Sequence, residues 1–399
     1  MRPRIVVFAY ACEPGRGSEP GAGWVWARMI AQLGDAWVIT RSNNRPVIEA
    51  ELSDVPERDH LHLVYVDLPD WARWWKRGEI GVRAYYVLWM LLALRAARRL
   101  HRTVDFDISW HLTMANVWLG ATAAYLPLPF VYGPVGGGVR TSWRLLPSLG
   151  LRGAAYELVR SMVRAIARAT NPLARRAWQQ ASVILVQNPE TRDWLPRAHQ
   201  HKARVLPNAV IVAAPRATHR TVERPSPVAL FAGNLLPLKG VALAIRALSY
   251  APGWRLVICG KGTDERRLRR LARRLRVEDR VELRGWLPRE ELFDVMSSEA
   301  DVFLFPSLHD QSPWVVAEAL TFGLPVICLE EGGSTVLGGT GVPRSGVRAT
   351  AEALAVALVA AKGAQPAPPE LDMPSRFEML RDVLQQHGLI SEVDAAPGP

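Results

Sequence analysis

The chain has 399 residues, of which 49% are hydrophobic and 22% are charged, and its formal net charge is +11. This composition is that of an ordinary globular protein and excludes an intrinsically disordered chain. The positive charge alone leaves three kinds of partner open: nucleic acid, an anionic membrane and a phosphorylated substrate. The three cysteines lie far apart and match no metal-ligand spacing, which predicts no metal site and a reducing, cytoplasmic compartment.

The first predicted element is a buried strand at 5–10, within the opening sequence MRPRIVVFAYAC. A signal peptide is the alternative, but the apolar run of about eight residues is short for one, and a Gly-rich polar loop follows it without a cleavage site. Farther along, the apolar stretch at 84–94 falls below the ~18 residues of a membrane-spanning helix.

Short apolar runs alternate with helical stretches along the chain, which is the βαβ pattern of parallel sheets. The runs lie at 4–10, 36–40, 61–68, 106–112, 129–134, 182–188, 228–234, 254–260, 281–286, 301–307 and 324–330. We therefore predict an α/β protein of two doubly wound, Rossmann-like domains. Ligands of such sheets bind at the carboxyl ends of the strands, here in a central cleft that both domains are expected to face.

The predicted boundary between the domains is a Pro-rich segment without a hydrophobic period, residues 213–227, which is typical of a linker. It separates a first domain at 1–212 from a second domain at 228–365. Residues 366–399 are predicted to form a C-terminal helix and a loose tail.

The loop after the first predicted strand is rich in glycine, and Gly21 and Gly23 are expected to precede a helix that starts near Trp24. Small residues let backbone amides approach an anion, and a helix N-terminus adds partial positive charge. A flexible turn is the alternative interpretation. The glycines do not follow the G-x-G-x-x-G spacing, which argues against a nicotinamide dinucleotide site.

The first strand of the second predicted domain ends in FAGNLLPLKG, with Lys239 just before a helix. A lysine at this place can offer a point charge to a phosphate, although a surface lysine at a turn is the alternative.

A strand-to-helix segment at 305–327 carries two carboxylates, Asp310 and Glu318. Ser312 as N-cap and Pro313 as first helical residue predict the start of a helix, and Gly323 predicts its end. The first amides of this helix would form an anion site beside the carboxylates. Glu318 is expected more than a turn inside that helix among apolar neighbours. Burying its carboxylate unpaired would be costly, so it needs a polar partner, for which a ligand hydroxyl is a natural choice.

On these motifs the sequence resembles the GT-B glycosyltransferases of family 4, the glycosyl transferases group 1, which retain anomeric configuration and use nucleotide-diphosphate sugars without a metal ion or cofactor. The family's Glu-x7-Glu motif reads Asp310-x7-Glu318 here, and Lys239 matches the lysine of its G-R-L-x-x-x-K-G stretch. The resemblance implies that Glu318 binds ribose hydroxyls and Asp310 binds sugar hydroxyls. The donor's sugar and phosphates would meet the segment between them, at Gln311, Ser312 and Trp314.

Further segments resemble the same family. Residues 281–292 resemble its nucleobase loop, which makes Trp286 a donor-binding candidate, and the loop of Gly21 and Gly23 resembles the phosphate loop of one subgroup. The segment around His111 resembles that subgroup's acceptor side. His111 would then lie near the transferred sugar and act with Lys239 and Asp310 in catalysis; a structural histidine is the alternative.

Two departures from the family pattern affect the donor site. Asn234 stands where the family has an arginine, and Asp310 is one methylene shorter than glutamate. A lost charge-assisted contact is typically worth ~1.5–3 kcal/mol. Arg140 is a candidate to replace the missing charge. Lys239 and the helix N-terminus would stabilise the charge that grows on the leaving phosphate.

Two basic stretches, 71–102 and 151–178, combine arginine with tryptophan or with apolar residues at helical spacing. This pattern is typical of a segment that lies on an anionic membrane, and the alternative is two packing helices with solvated arginines. No nucleic-acid motif accompanies the charge, so nucleic-acid binding is not expected.

Together these features predict a metal-independent retaining glycosyltransferase. It would move a sugar from a nucleotide-diphosphate donor to a glycan or lipid-linked acceptor, in envelope or exopolysaccharide assembly at the inner face of the plasma membrane. The alternatives are a nucleotide-sugar epimerase and a non-catalytic sugar-nucleotide-binding or scaffold protein with a degenerate site.

Overall fold

A computed structural model describes residues 2–69, 71, 81–211, 225–366 and 369–391. The chain forms two compact units. The first unit consists of Met1–Gly138, Arg164–Val212 and Asp372–Pro399, and the second consists of Val139–Val163 and Ala213–Leu371.

The first unit is built on a seven-stranded sheet of order β3-β2-β1-β4-β5-β6-β7, in which all neighbours are parallel. Its strands are β1 (Arg4–Phe8), β2 (Asp35–Thr40), β3 (Leu61–Tyr65), β4 (Ile108–His111), β5 (Phe130–Val135), β6 (Ala181–Val186) and β7 (Ala203–Val205). The central strands are buried along almost their whole length because helices cover both faces of a parallel sheet.

Helices of the first unit follow most of these strands. They are α1 (Ser18–Leu33), α2 (Arg45–Leu52), α3 (Val82–Val104), the C-terminal part of α4 (Gly150–Thr170), α5 (Pro172–Gln180), α6 (Pro189–Trp194) and α7 (Arg197–Gln200). Aromatic residues of α3, Tyr85, Tyr86 and Trp89, are buried in one core cluster with Phe8 of β1 and Tyr132 of β5.

The second unit has a six-stranded parallel sheet of order β10-β9-β8-β11-β12-β13. The strands are β8 (Val228–Ala232), β9 (Arg255–Cys259), β10 (Val281–Gly285), β11 (Val302–Phe305), β12 (Val326–Leu329) and β13 (Thr340–Val342). Besides the N-terminal part of α4, the helices are α8 (Val241–Leu248), α9 (Glu265–Arg274), α10 (Arg289–Ser298), α11 (Trp314–Thr321), α12 (Gly333–Val336) and α13 (Val347–Ala360).

Both sheets are doubly wound, so each has a point at which the strand order reverses. That point lies between β1 and β4 in the first sheet and between β8 and β11 in the second. Ligands of open α/β sheets bind outside the carboxyl ends of the strands at such a point. A ligand site is therefore expected at the loops after these four strands.

The C-terminal helix, α14 (Met373–Gln386), returns to the first unit. It contacts α1, and Asp372 just before it forms a parallel bridge with Ile211. Leu380 and Leu384 of this helix are buried, which explains why the segment joins the first unit rather than forming a separate piece.

Two differences from the predicted domain organisation follow. Residues 139–163 belong to the second unit, although the first domain was expected to include all of 1–212. The predicted helix in 366–399 is present, but it belongs to the first unit. Most of the predicted linker, 213–224, and the end of the tail, 392–399, lie outside the described residues.

The tryptophan-rich segment at 72–80 also lies outside the described residues, and α3 begins after it at Val82. In the parts of the chain that the structure describes, no helix is both long and apolar enough to cross a membrane.

Candidate functional site

The loops that follow β8 and β11 meet at the carboxyl edge of the second sheet. Gly240, just before α8, has φ +73°, and a Cβ atom there would lie 1.8 Å from the carbonyl oxygen of Pro306. The amide of Leu308 donates a hydrogen bond to the carbonyl of Leu238 at 2.9 Å. Only glycine allows this approach, so the two loops are held together at the point where the strand order reverses.

This contact joins two of the predicted site residues. The Nζ atom of Lys239 lies 2.6 and 2.9 Å from the two carboxylate oxygens of Asp310, and the side chains are 27% and 19% exposed. A partly exposed ion pair of this kind contributes ~0–1 kcal/mol to stability. A second anion can therefore compete with Asp310 for the lysine at small cost to the fold.

The loop after β11 is also held from the other side, by glycines that follow β12. The amide of Gly333 donates to the carbonyl of Asp310 at 3.1 Å, and a Cβ atom at Gly333 would lie 1.8 Å from the carbonyl oxygen of Gln311. Sequence reasoning missed this role of Gly332 and Gly333. The Gly-Gly pair after a strand was its only local signal.

The helix after this loop, α11, starts one residue later than predicted. Pro313 is its N-cap rather than its first residue, because its ψ of 113° is extended, and its carbonyl accepts hydrogen bonds from the amides of Val316 and Ala317. Ser312, the predicted N-cap, lies one residue before the cap. The predicted stop is present, since Gly323 has φ +75° just after the helix.

Glu318 lies inside α11 and is 8% exposed. Its carboxylate forms an ion pair of 2.7 Å with Arg289, the first residue of α10, whose guanidinium lies 5.1 Å from the ring centre of Phe293. Burial raises the pKa of Glu318, and Arg289 partly opposes that rise. The polar partner that Glu318 was expected to need is thus Arg289. Sequence reasoning missed this residue, because nothing local distinguishes it from the chain's many other arginines.

The remaining predicted donor-site residues of the second unit lie on loops at the same edge. Asn234 follows β8 and is exposed, while Trp286 follows β10 and is 65% exposed. Trp314 opens α11, and its Nε1 atom is buried without a hydrogen-bond partner among the described residues. Arg140 has an exposed side chain, and its carbonyl accepts a hydrogen bond from Arg344. Their roles stay predictions.

In the first unit, Gly21 and Gly23 do not lie in a loop before a helix, so that prediction is wrong. The helix α1 begins at Ser18, and both glycines are buried inside it. A Cβ atom at Gly23 would lie 1.9 Å from the carbonyl oxygen of Ala11 and 2.7 Å from Thr113. Gly23 is therefore explained by the close packing of α1 on the segment after β1.

His111 ends β4 beside Phe8 of β1, at the point where the first sheet reverses its strand order. The side chain has no exposed surface, and its Nε2 atom lies 2.6 Å from the hydroxyl of Tyr86. Burial lowers the pKa of His111 to about 3, so the ring is neutral near pH 7. Nδ1 has no partner among the described residues. This environment agrees with a structural histidine, and its catalytic role stays a prediction.

A partly buried carboxylate, Glu19, also lies at this edge of the first sheet and was missed by sequence reasoning. Glu19, in the first turn of α1, accepts hydrogen bonds from the amide of Met114 at 2.6 Å and from Nδ2 of Asn208 at 3.3 Å. Burial raises the pKa of Glu19. Ser18 and Met114 have φ values of 65° and 55°, so the backbone on both sides of this contact is left-handed.

Comparisons with known proteins agree with this geometry. A family model described as glycosyl transferases group 1 matches residues 218–358. The putative colanic acid biosynthesis glycosyltransferase WcaL of Salmonella typhimurium is 33% identical over 157 residues, which cover 35% of this chain and 38% of WcaL. The chain thus matches little more than a third of the length of this curated relative.

Two solved structures are similar over almost the whole chain, at low sequence identity. The lipopolysaccharide outer core galactosyltransferase WaaB in its apo form has a TM-score of 0.64 and 14% identity, covering 96% of this chain and 99% of WaaB. Anabaena HepE in complex with UDP has a TM-score of 0.57 and 15% identity, covering 96% of this chain and 100% of HepE.

The two doubly wound parallel sheets and these structural similarities define a GT-B fold, as predicted. Residues 218–358, which include Lys239, Asp310, Arg289 and Glu318, match the family model of the glycosyl transferases group 1. The predicted family is therefore confirmed for this part of the chain.

Proposed function

We propose that the protein is a retaining glycosyltransferase that uses a nucleotide-diphosphate sugar. The observation that carries this proposal is the Lys239–Asp310 pair at the point where the second sheet reverses its strand order. The pair lies in the segment that matches the glycosyl transferases group 1, and HepE, a protein of similar fold, has been solved with UDP.

In the proposed donor complex, the diphosphate replaces Asp310 as the ionic partner of Lys239. It also approaches the first amides of α11, where the helix adds partial positive charge. Asp310 is then released to accept hydrogen bonds from sugar hydroxyls. Glu318 binds the ribose hydroxyls while Arg289 keeps its carboxylate charged and oriented. The ion pair at Lys239 is thus the resting form of the phosphate site.

For transfer with retention, the bond between the anomeric carbon and the leaving phosphate oxygen breaks. The acceptor oxygen bonds to that carbon on the same face, and the acceptor proton passes to the leaving phosphate. Lys239 and the amides of α11 stabilise the charge that grows on this phosphate, which is the largest contribution such a site can make. No metal ion is assigned to this step, because Lys239 supplies the positive charge.

The acceptor is proposed to be a glycan or a lipid-linked sugar in envelope or exopolysaccharide assembly. The similarity to WcaL, described as a colanic acid biosynthesis glycosyltransferase, supports this class of acceptor. A lipid-linked acceptor places the enzyme at the cytoplasmic face of a membrane, as a peripheral protein.

The donor site is tested by thermal stability against UDP, GDP, ADP, TDP and CDP, each with and without magnesium. At a hundredfold excess over Kd, a nucleotide that binds only the folded state adds about 2.7 kcal/mol. We expect one base to give a shift that magnesium does not change. In Lys239→Ala this shift falls strongly, whereas Lys362→Ala, at an exposed lysine of the same unit, keeps it.

Two results would overturn the proposal. One is the absence of a shift with every nucleotide, which would favour a degenerate, non-catalytic protein. The other is an equal shift in Lys239→Ala and wild type, which would show that the diphosphate does not bind at this lysine.

A further inference from the structure

The helix α4 has an unusual distribution of apolar side chains. It runs over 21 residues, Gly150–Thr170, or about 31 Å at the rise of an α-helix. Its large apolar residues are solvent-exposed: Leu151 92%, Tyr156 54%, Leu158 58%, Val159 57%, Met162 58%, Val163 46% and Ile166 53%. A helix that packs on a globular core instead turns its apolar stripe inward.

Most charged side chains of α4 are instead buried or bound to the protein. Glu157 is 2% exposed and forms an ion pair of 2.6 Å with Arg160. Arg164 is 4% exposed and donates to the carbonyl of Gly137. Arg168 donates to the carbonyl of Leu195. The helix is therefore inverted: its ion pair is buried, Arg164 and Arg168 bind backbone carbonyls outside the helix, and its apolar face is in contact with solvent.

The residues that precede and begin α4 complete the surface. Trp143 is 74% exposed, with the guanidinium of Arg144 at 5.5 Å from its ring centre, and the side chains of Arg140, Arg144 and Arg152 are exposed. The one acidic residue in the sequence 139–170 is the buried Glu157. Within 139–170, the accessible charge is thus entirely positive.

Exposed apolar residues flanked by tryptophan and arginine match the boundary between lipid headgroups and acyl chains. Anionic headgroups attract arginine near the membrane surface, which gives this surface a partner of complementary charge. A membrane-spanning role does not fit, because α4 carries a buried ion pair and its Arg164 and Arg168 bind backbone carbonyls of the protein.

We propose that α4 lies in the plane of an anionic lipid bilayer, with the face from Leu151 to Ile166 inserted at the level where headgroups meet acyl chains. Trp143, Arg144 and Arg152 contact the headgroups. The inference deepens the proposed function and rests on it in one respect, since this contact holds the enzyme where a lipid-linked acceptor is found.

The test is binding of the purified full chain to vesicles of phosphatidylcholine with 30% phosphatidylglycerol, measured by flotation. We expect Leu158→Glu/Met162→Glu to reduce binding by at least about tenfold, because two inserted side chains become charged. The matched control is Val356→Glu/Val359→Glu on α13, where the valines are 71% and 54% exposed; this variant should bind like wild type.

A second variant tests the charge. Arg144→Gln/Arg152→Gln should reduce binding to the anionic vesicles by roughly tenfold or more, since each arginine near the surface contributes a several-fold attraction. Its binding to vesicles of pure phosphatidylcholine should not change.

The proposal is overturned if the wild-type protein does not bind the anionic vesicles. It is equally overturned if Leu158→Glu/Met162→Glu binds them as well as Val356→Glu/Val359→Glu does. It is also overturned if sedimentation velocity shows a dimer that only Leu158→Glu/Met162→Glu dissociates, because α4 would then be a protein interface. The nucleotide shift is measured on every variant in buffer. A normal shift with no vesicle binding removes the membrane inference alone, and a lost shift in wild type removes the proposed function.

Discussion

Polar side chains at the carboxyl ends of the two sheets differ in their access to solvent. Lys239 and Asp310 are partly exposed and bind each other, so a ligand can replace either partner without rearrangement of the core. His111 is fully buried and has the hydroxyl of Tyr86 as its hydrogen-bond partner. A substrate reaches His111 only if the surrounding side chains move, whereas the ion pair is open to exchange.

The burial of His111 gives a prediction for acid stability. Its pKa is about 3 in the folded protein, against ~6.5 for an unperturbed histidine. Between these values the unfolded chain binds a proton that the folded protein does not, so stability falls as the pH falls through this window. Above pH 6.5 the histidine adds no pH dependence.

In His111→Asn this loss should be absent. We expect the decrease in unfolding free energy of the first unit between pH 7 and pH 5 to be about 2 kcal/mol smaller than in wild type. Urea unfolding at the two pH values measures it, with His201→Asn, at an exposed histidine, as the control. An unchanged difference between pH 7 and pH 5 would contradict the buried, neutral histidine.

At the scale of elements, sequence reasoning located the parallel strands well. Each of the eleven predicted runs contains a strand, because strands buried on both faces form continuous apolar runs. It missed β7 and β13, which have three residues each and are too short to show a pattern. The start of α1 was placed six residues late, since glycines that normally mark a loop serve here for close helix packing.

The positions of some candidate site residues could also be predicted, because local sequence motifs mark them. Lys239, Asp310 and Glu318 stand at positions that local motifs mark, after strands and within one helix. Arg289 and Gly333 act through contacts with residues distant in sequence, so their roles appear only once the chain is folded.

The packing of α1 gives a prediction at this scale. In Gly23→Ala the new methyl group would lie 1.9 Å from the backbone carbonyl of Ala11, so the helix must shift away from the segment after β1. We expect a loss of roughly 1–3 kcal/mol, the usual cost of overpacking. Urea unfolding measures it against Gly17→Ala, where a Cβ atom meets nothing within 4 Å. Equal stabilities of the two variants would refute the packing role of Gly23.

At the scale of the whole molecule, neither unit is one continuous stretch of chain. The first unit takes in three segments, and the last of them, beginning at Asp372, supplies α14. The second unit begins with residues 139–163, which lie before the last strands of the first. Each unit therefore depends on residues that a simple cut at the predicted linker would assign to the other.

This arrangement predicts how the protein responds to truncation. A chain that ends at Leu371 loses α14, with the buried Leu380 and Leu384, and the bridge from Asp372 to Ile211. Two buried leucines correspond to about 3–6 kcal/mol, so we expect the first unit to unfold at a markedly lower temperature. The second unit should keep the nucleotide response that the proposed function predicts for it.

Scanning calorimetry with and without nucleotide measures both effects. A chain that ends at Ser391 is the matched control, since it retains α14 and should behave like the full chain. If both truncated chains match the full chain, α14 does not stabilise the first unit.

The position of α14 in the sequence also determines the order in which the two units can fold during synthesis. Ribosomes add roughly 5–20 residues per second, and domains generally fold as units while the nascent chain emerges. The first unit needs a helix encoded after every segment of the second unit, whereas the second unit has all its residues once Leu371 has emerged. The second unit can thus mature first, and the first unit waits until α14 has emerged.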